Sequence, residues 1–187
     1  MNEIKGVKVL NYFRVKDSRG VFEKPLANID EHFPNFRGLA EFFSSTSEEN
    51  VWRGFHLQVG EYASNRIIYC SSGRATDYLI DLRENSKTFR YLQKIELNHE
   101  KNAKMVCIPA GVAHGFLSKS NDTVINYFSD RPYSSLHDTG IRVDEELDFE
   151  LANELTTAKM SERDKSLPSI EEYIRTYLRP IDREKIR

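Results

Sequence analysis

Between residues 6 and 129, apolar residues recur in short runs and alternations rather than at helical spacing. Residues 74–82 alternate, with Ala75, Asp77, Leu79 and Asp81 against Thr76, Tyr78, Ile80 and Leu82, and residues 91–97 do the same. Period two marks a β-strand. Further strands are predicted over 6–13, 39–45, 51–58, 66–71, 104–108, 112–118 and 123–129, with a short apolar Val21-Phe22 after the turn residues Asp17-Ser18-Arg19-Gly20. About nine short strands with turn signals between them predict an all-β sandwich or barrel. A helix of about two turns is expected over 26–33, stopped by Pro34-Asn35. After Asp130 the chain turns acidic and loop-rich. Ser169-Ile170-Glu171-Glu172 then has the capping-box pattern, and Tyr173, Ile174, Tyr177 and Leu178 follow at helical spacing before Pro180. The expected division is a β domain over 1–168 and a helical tail over 169–187.

One stretch breaks the pattern. In residues 51–58, Val51, Phe55 and Leu57 form an apolar strand face, yet Trp52, Arg53, His56 and Gln58 do not read as its solvent side. Gly54 sits in the middle, where it weakens a strand but lets another group approach the backbone closely. Buried polar side chains need partners. These residues therefore either face a polar cavity, with Gly54 as the gap that admits a substrate, or form an internal network.

Composition narrows the classes. The 187 residues suit one domain, and 27 Lys and Arg against 29 Asp and Glu leave a net charge of −2. That balance disfavours a nucleic-acid binder, which usually carries a basic face. Cys70 and Cys107 fall in apolar runs and read as buried reduced thiols. The N-terminal residues show no apolar core of signal-peptide type, and no apolar run of about 18 residues suggests a membrane span. A soluble, cytoplasmic protein is expected.

Of five histidines, His32 and His99 fall beside turns and are expected to be solvated, and His137 lies in a polar loop. His56 and His114 are embedded in apolar segments. Pro109-Ala110-Gly111-Val112-Ala113-His114 has the form P-x-G-x-x-H, and the segment around His56 resembles the strand that carries an H-x-H pair in cupins. Gln58 replaces the second histidine of that pair. Two histidines, a glutamine and at most Glu61 make a poor divalent site, so no metal and no cofactor are expected.

Read together, the segments resemble the dTDP-4-dehydrorhamnose 3,5-epimerase family. They are Asp17-x-Arg-Gly-x-Phe22, Arg53-Gly-Phe-His-Leu-Gln58, Gly73 with Asp77-Tyr-Leu-Ile-Asp-Leu-Arg83, and Ser86-x-Thr-Phe89. Ile108-Pro-Ala-Gly-Val-Ala-His-Gly-Phe116, Tyr127, Tyr133, Gly140-Ile141 and Met160-Ser-Glu-Arg-Asp164 complete the set in the family's order. The resemblance implies a cupin-like jelly roll with short peripheral helices and a C-terminal helix. It also implies a homodimer formed by exchanging N-terminal strands, and a nucleotide-sugar substrate epimerised at C3, C5 or both beside a C4 ketone. By motif match, His56 is the base, Asp164 its partner, Tyr127 the acid, and Arg66, where the family usually has lysine, the cation near the enolate. Asp77 and His114 line the sugar pocket, and Gln58 and Tyr133 are further substrate contacts. Arg53 contacts the pyrophosphate, and Arg19 does so from across the dimer. Lys24 and Glu41 stand where the family has glutamate and glutamine. They either pair with each other or offer the nucleotide an anionic acceptor, which would suit a CDP- or GDP-linked sugar. A mono-epimerase and a non-catalytic sugar-nucleotide-binding cupin are the competing readings.

Overall fold

The alternation over residues 74–81 divides them between two cores: Ala75 and Leu79 pack on one side, Tyr78 and Ile80 on the other. In a computed structural model of the chain, which describes residues 3–178, the same division runs through the whole molecule. The strands are β1 (Lys8–Asn11), β2 (Phe13–Asp17), β3 (Gly20–Lys24), β4 (Glu41–Ser47), β5 (Trp52–Gln58), β6 (Arg66–Ser72), β7 (Arg74–Asp81), β8 (Leu92–Asn98), β9 (Lys104–Ile108), β10 (Val112–Ser118), β11 (Thr123–Ser129) and β12 (Asp138–Gly140). The short helices are α1 (Ile29–His32), α2 (Phe149–Glu154), α3 (Glu162–Lys165) and α4 (Ile170–Tyr173). Two five-stranded sheets, ordered β1-β9-β6-β11-β4 and β12-β5-β10-β7-β8, form a jelly roll, and β2 and β3 pair apart from both. The strand pairs in all three sheets are antiparallel.

Between the two large sheets lie Ile68, Val106, Ile108 and Ile125 from one and Leu79, Leu97, Val112 and Phe116 from the other. Each such side chain contributes roughly 2 kcal/mol of burial. The outer face of the second sheet, with Trp52, Phe55, Leu57 and Leu117, is covered by Leu151, Leu155, Ile170 and Tyr173 of the C-terminal region. The outer face of the first sheet, with Ile67, Met105 and Cys107, is covered by Tyr12 and Phe33. Both cysteines are buried free thiols, and burial pushes each up to about 11.

Several expected elements change. The strand expected over 6–13 breaks at Tyr12, whose side chain turns into the outer cluster, and Phe13 beyond it opens β2, which pairs with β3 as a hairpin. The helix expected over 26–33 shrinks to the four residues of α1, because Asn28 before it is left-handed (φ 56°) and cannot continue a helix. β12, α2 and α3, of three, six and four residues, lie in the stretch that read as loop. His99 is only partly solvated: its side chain is part-exposed, but its Nδ1 is buried, 3.7 Å from the carboxylate of Glu23. The capping box at Ser169 and Glu172 forms as expected, and α4 continues into a π-turn, Ile174–Leu178. Pro180 and the rest of the expected tail, 179–187, lie outside the described residues. Among the described residues, no helix is long and apolar enough to cross a membrane.

Candidate active site

Side chains along β4, β5, β6, β10 and β11, with Asp138 of β12 and residues between 159 and 164, line a cavity of about 600 Å³. β5 reaches it through a break in its own alternation. His56 lies opposite His114 of β10, but Arg53 lies opposite Phe116, so the register slips by one residue between them. A bulge of this kind re-aims side chains. Arg53 and His56, three residues apart, therefore both line the cavity, while Trp52, Phe55 and Leu57 all join the outer core. Gly54 has φ +140°, and a Cβ there would fall 2.3 Å from the Cα of Gly115. The gap at Gly54 is thus filled by the neighbouring strand, not by a substrate as the sequence suggested.

His56 is part-exposed to the cavity, and its Nε2 lies 2.6 Å from Oδ1 of the nearly buried Asp164. Asp164 comes from the one-turn α3, whose N-cap Ser161 accepts a hydrogen bond from the Asp164 amide. A carboxylate behind an imidazole fixes its tautomer and stabilises the imidazolium formed when it takes a proton. Tyr127 faces the cavity from the other sheet. Its ring stacks on Phe43 at 4.6 Å and meets His114 edge-on at 5.8 Å. Burial drives the Tyr127 hydroxyl far above the ordinary phenol value, so it stays protonated and able to donate.

A second imidazole–carboxylate pair lies behind the first. His114 Nε2 is 2.6 Å from Oδ1 of Asp77, and both are buried. Asp77 lies between Ala75 and Leu79 on the inter-sheet face of β7. Burial pushes its carboxyl above the usual range, against the pull of His114, and its Oδ2 has no hydrogen-bond partner among the described residues.

Among the described residues, two cations of the cavity have no carboxylate bonded to them. Arg53 donates from Nε to Ser47 Oγ and from Nη2 to the Thr46 carbonyl. Arg66 donates to Ser64 Oγ; burial lowers its pKa, opposed by Asp138, Tyr127 and Glu41. By contrast, Lys159 pairs with Glu48 and Arg163 with Asp138. Such a balance favours an anionic ligand.

His56, Asp164, Tyr127, Arg66, Arg53, His114 and Tyr133 thus converge on one cavity, with Asp77 bonded to its wall. Glu41 and Gln58 line a smaller adjoining cavity of about 140 Å³, which shares Arg66 and Tyr133 with the larger one. Gln58 is tied to the fold: its Nε2 donates to the Tyr62 and Pro132 carbonyls, and its Oε1 accepts from the Ser134 amide. Arg19 and Lys24 lie on the β2–β3 hairpin and do not line the cavity. Arg19 is exposed and bonded to Asp17, and the Lys24 ammonium sits 5.6 Å from the Phe22 ring centre. Among the described residues no ion pair joins Lys24 to Glu41: Lys24 lies against Phe22 on the hairpin, and Glu41 lines the smaller cavity. Sequence reasoning missed Asp138, Lys159 and Arg163 on the cavity wall. Arg163 lay inside the matched segment Met160-Ser-Glu-Arg-Asp164 but was given no role, while Asp138 and Lys159 only neighbour matched positions. Among the described residues, no three His, Cys, Asp or Glu side chains converge as a metal-binding group would.

Comparison with known proteins points the same way. A family model described as dTDP-4-dehydrorhamnose 3,5-epimerase matches residues 1–172. The dTDP-4-dehydrorhamnose 3,5-epimerase of Sinorhizobium fredii is 37% identical over 134 residues, covering 71% of this chain and 68% of its own. That of Escherichia coli is 31% identical over 181 residues, covering 94% of this chain and 96% of its own. The solved structure of the Bacillus anthracis dTDP-4-dehydrorhamnose 3,5-epimerase, with TDP and PPi bound, superposes with a TM-score of 0.80 at 27% identity. It covers 89% of this chain and 97% of that one.

Proposed function

The chain belongs to the dTDP-4-dehydrorhamnose 3,5-epimerase family, and from that premise we propose how its own residues carry the reaction. It is an isomerase that epimerises C3, C5 or both of a nucleotide-linked 4-keto-6-deoxy sugar. The reading rests above all on the His56–Asp164 contact at 2.6 Å, open to the cavity on the side that Tyr127 faces from the other sheet. The ketone at C4 acidifies the neighbouring C–H bonds and is the electron sink. His56, with Asp164 behind it, removes the proton as general base. The electron pair moves onto the C4 oxygen, where Arg66 and the His114–Asp77 pair supply positive charge and hydrogen-bond donation to the enolate. Tyr127 returns a proton from the opposite face, inverting the carbon.

Arg53, with no carboxylate bonded to it, is the pyrophosphate ligand; its guanidinium offers paired donors to phosphate oxygens. Tyr133, half-exposed at the junction of the two cavities, gives the nucleoside an aromatic surface, and Glu41 faces the same small space. The relatives are named for a dTDP-linked sugar and the Bacillus anthracis structure holds TDP, which favours dTDP over a CDP or GDP carrier. The partner subunit completes the site in this reading. The β2–β3 hairpin, detached from both large sheets, exchanges between two copies and brings Arg19 towards the other copy's nucleotide. Buried reduced thiols at Cys70 and Cys107 suit the cytoplasm.

Incubation with a dTDP-linked 4-keto-6-deoxyhexose in heavy water tests the reading. Deuterium at C3 and C5 is the expected result, and deuterium at one carbon alone marks a mono-epimerase. No exchange, with binding retained, would reduce the protein to a sugar-nucleotide-binding cupin.

A further inference from the structure

Asp164 reaches His56 from a helix of a single turn, too short to hold its own shape. The chain on either side is fastened through its backbone. Trp52 N–H donates to the Lys159 carbonyl at 3.0 Å and Lys159 N–H to the Asn50 carbonyl at 2.8 Å; downstream, Arg142 N–H donates to the Pro168 carbonyl at 2.9 Å. Between these points, two side chains of α3 tie it to the sheet among the described residues. One is Asp164 itself. The other is its neighbour Arg163, whose Nη2 donates to Oδ2 of Asp138.

Asp138 is well placed to act as an anchor. It opens β12, the strand beside β5, where it lies opposite Gln58, and Gly140 in the same strand lies opposite His56. Its side chain is only 9% exposed, and a carboxylate this buried needs a cation. Arg163 is half exposed, so the pair joins a buried acceptor on β12 to a donor on the helix that bears Asp164. Asp138 also faces the buried Arg66 across the cavity wall. The pair bonds neither His56 nor Tyr127.

We propose that the Asp138–Arg163 ion pair is a positioning device that holds Asp164 against His56, so that proton abstraction depends on two residues outside the acid–base set. The inference rests on the reading of His56 as the base. A displacement near 1 Å of a group that orients a catalytic base lowers the rate without weakening ground-state binding to the same degree.

The test measures deuterium incorporation into a dTDP-linked 4-keto-6-deoxyhexose, as kcat and KM, with the full-length protein. The variants are Asp138→Asn, Arg163→Met, Arg163→Lys, the double Asp138→Asn/Arg163→Met, and His56→Ala as reference. Because Arg163 is half exposed, Arg163→Met keeps the fold even if Asp138→Asn lowers Tm. Asp138→Asn and Arg163→Met are each expected to lower kcat on the order of ten- to a hundredfold. KM is expected to change by less than about threefold. Arg163→Lys should recover most of the loss, and the double variant should be no slower than the slower single one, since both break one contact. A raised KM at unchanged kcat would make the pair a substrate contact, and unchanged kinetics would make it a surface bridge. Multiplying losses in the double variant would mean the two residues act separately. Each of these outcomes overturns the proposal. If His56→Ala abolishes exchange while the pair variants stay fast, the positioning role alone fails. If His56→Ala keeps exchange, the assignment of the base fails first.

Discussion

Gly54 and Gly115 pack backbone against backbone, leaving no room for a side chain on either. A Cβ on Gly54 would lie 2.3 Å from the Cα of Gly115 and 2.9 Å from the His114 carbonyl, and one on Gly115 would meet the Trp52 ring at 2.9 Å. Gly54 also occupies the left-handed half of backbone space, which L-residues avoid. This contact permits the bulge that turns Arg53 and His56 to the same side. Gly54→Ala is expected to cost about 3 kcal/mol or more, from overpacking and backbone strain together. Urea unfolding is the measurement, and a variant within about 0.5 kcal/mol of wild type would show that the two strands can part without penalty.

In the proposed mechanism the base and the acid come from different sheets, so their loss should look different. His56→Ala removes proton abstraction and is expected to abolish exchange at C3 and C5. Asp164→Asn keeps the shape of the dyad but removes the charge that stabilises the imidazolium, and should slow exchange by about 100-fold or more. Tyr127→Phe leaves abstraction in place. Exchange should persist while inverted product falls by about 100-fold, because the opposite-face donor is gone. Burial holds the Tyr127 hydroxyl above the ordinary phenol value of 10.0, so any alkaline fall in wild-type rate below that pH must come from another group. Equal losses of exchange and product in Tyr127→Phe would show that Tyr127 is not the returning acid.

Much of this architecture is legible in the alternation of single strands. The alternation of Ala75 and Leu79 against Tyr78 and Ile80 predicts a strand, and the structure adds what the alternation left open, a core on each side of it. The site's main residues were legible only through ordered motifs, since nothing in periodicity joins His56 to Asp164, 108 residues away. The bulge escaped because strict alternation assigns Arg53 and His56 to opposite faces, and a lone glycine in a strand does not say what approaches it. The pairing of Asp138 with Arg163 escaped, although Arg163 stands in a matched segment, because a three-residue strand and a one-turn helix leave no periodic trace.

Acid stability should depend on Asp130. Its side chain is fully buried between Arg37, which donates from Nε at 2.9 Å, and Asn65, which donates from Nδ2 at 2.7 Å and from its amide at 2.8 Å. Burial alone would raise its pKa, but these donors outweigh it and hold the carboxyl below 3.8. A folded-state value below the unfolded one gives stability that is complete above pH 3.8 and is lost as pH falls through the lower folded value. Asp130→Asn is expected to lower stability at neutral pH by about 2 kcal/mol. It should also flatten the pH dependence of the urea midpoint below pH 3.8. An unchanged slope would assign acid unfolding to other carboxylates, with Asp81, held low by Arg83, Ser86 and Thr88 despite its burial, as the next to replace.

The β2–β3 hairpin makes the case for a second copy of the chain. A two-stranded ribbon is marginal in water by itself, yet this one exposes Phe13 (58%), Phe22 (55%), Val15 and Val21. The edge strand β4 also exposes Phe42 and Phe43. Exposed apolar surface on the hairpin, together with an unpaired sheet edge at β4, is what the proposed exchange between two copies would cover. The turn of the hairpin carries Arg19, whose side chain is 89% exposed and bonded to its neighbour Asp17. Exchange of hairpins would cover the phenylalanines and carry that guanidinium to the partner's nucleotide. Sedimentation of the wild type should therefore report a dimer, and Phe13→Asp/Phe22→Asp should halve its mass and lower kcat/KM. Arg19→Ala should leave the dimer intact and raise KM about tenfold, the loss expected for one phosphate contact. A wild-type monomer with full activity, or an Arg19→Ala enzyme with wild-type KM, would mean that each chain builds its nucleotide site alone.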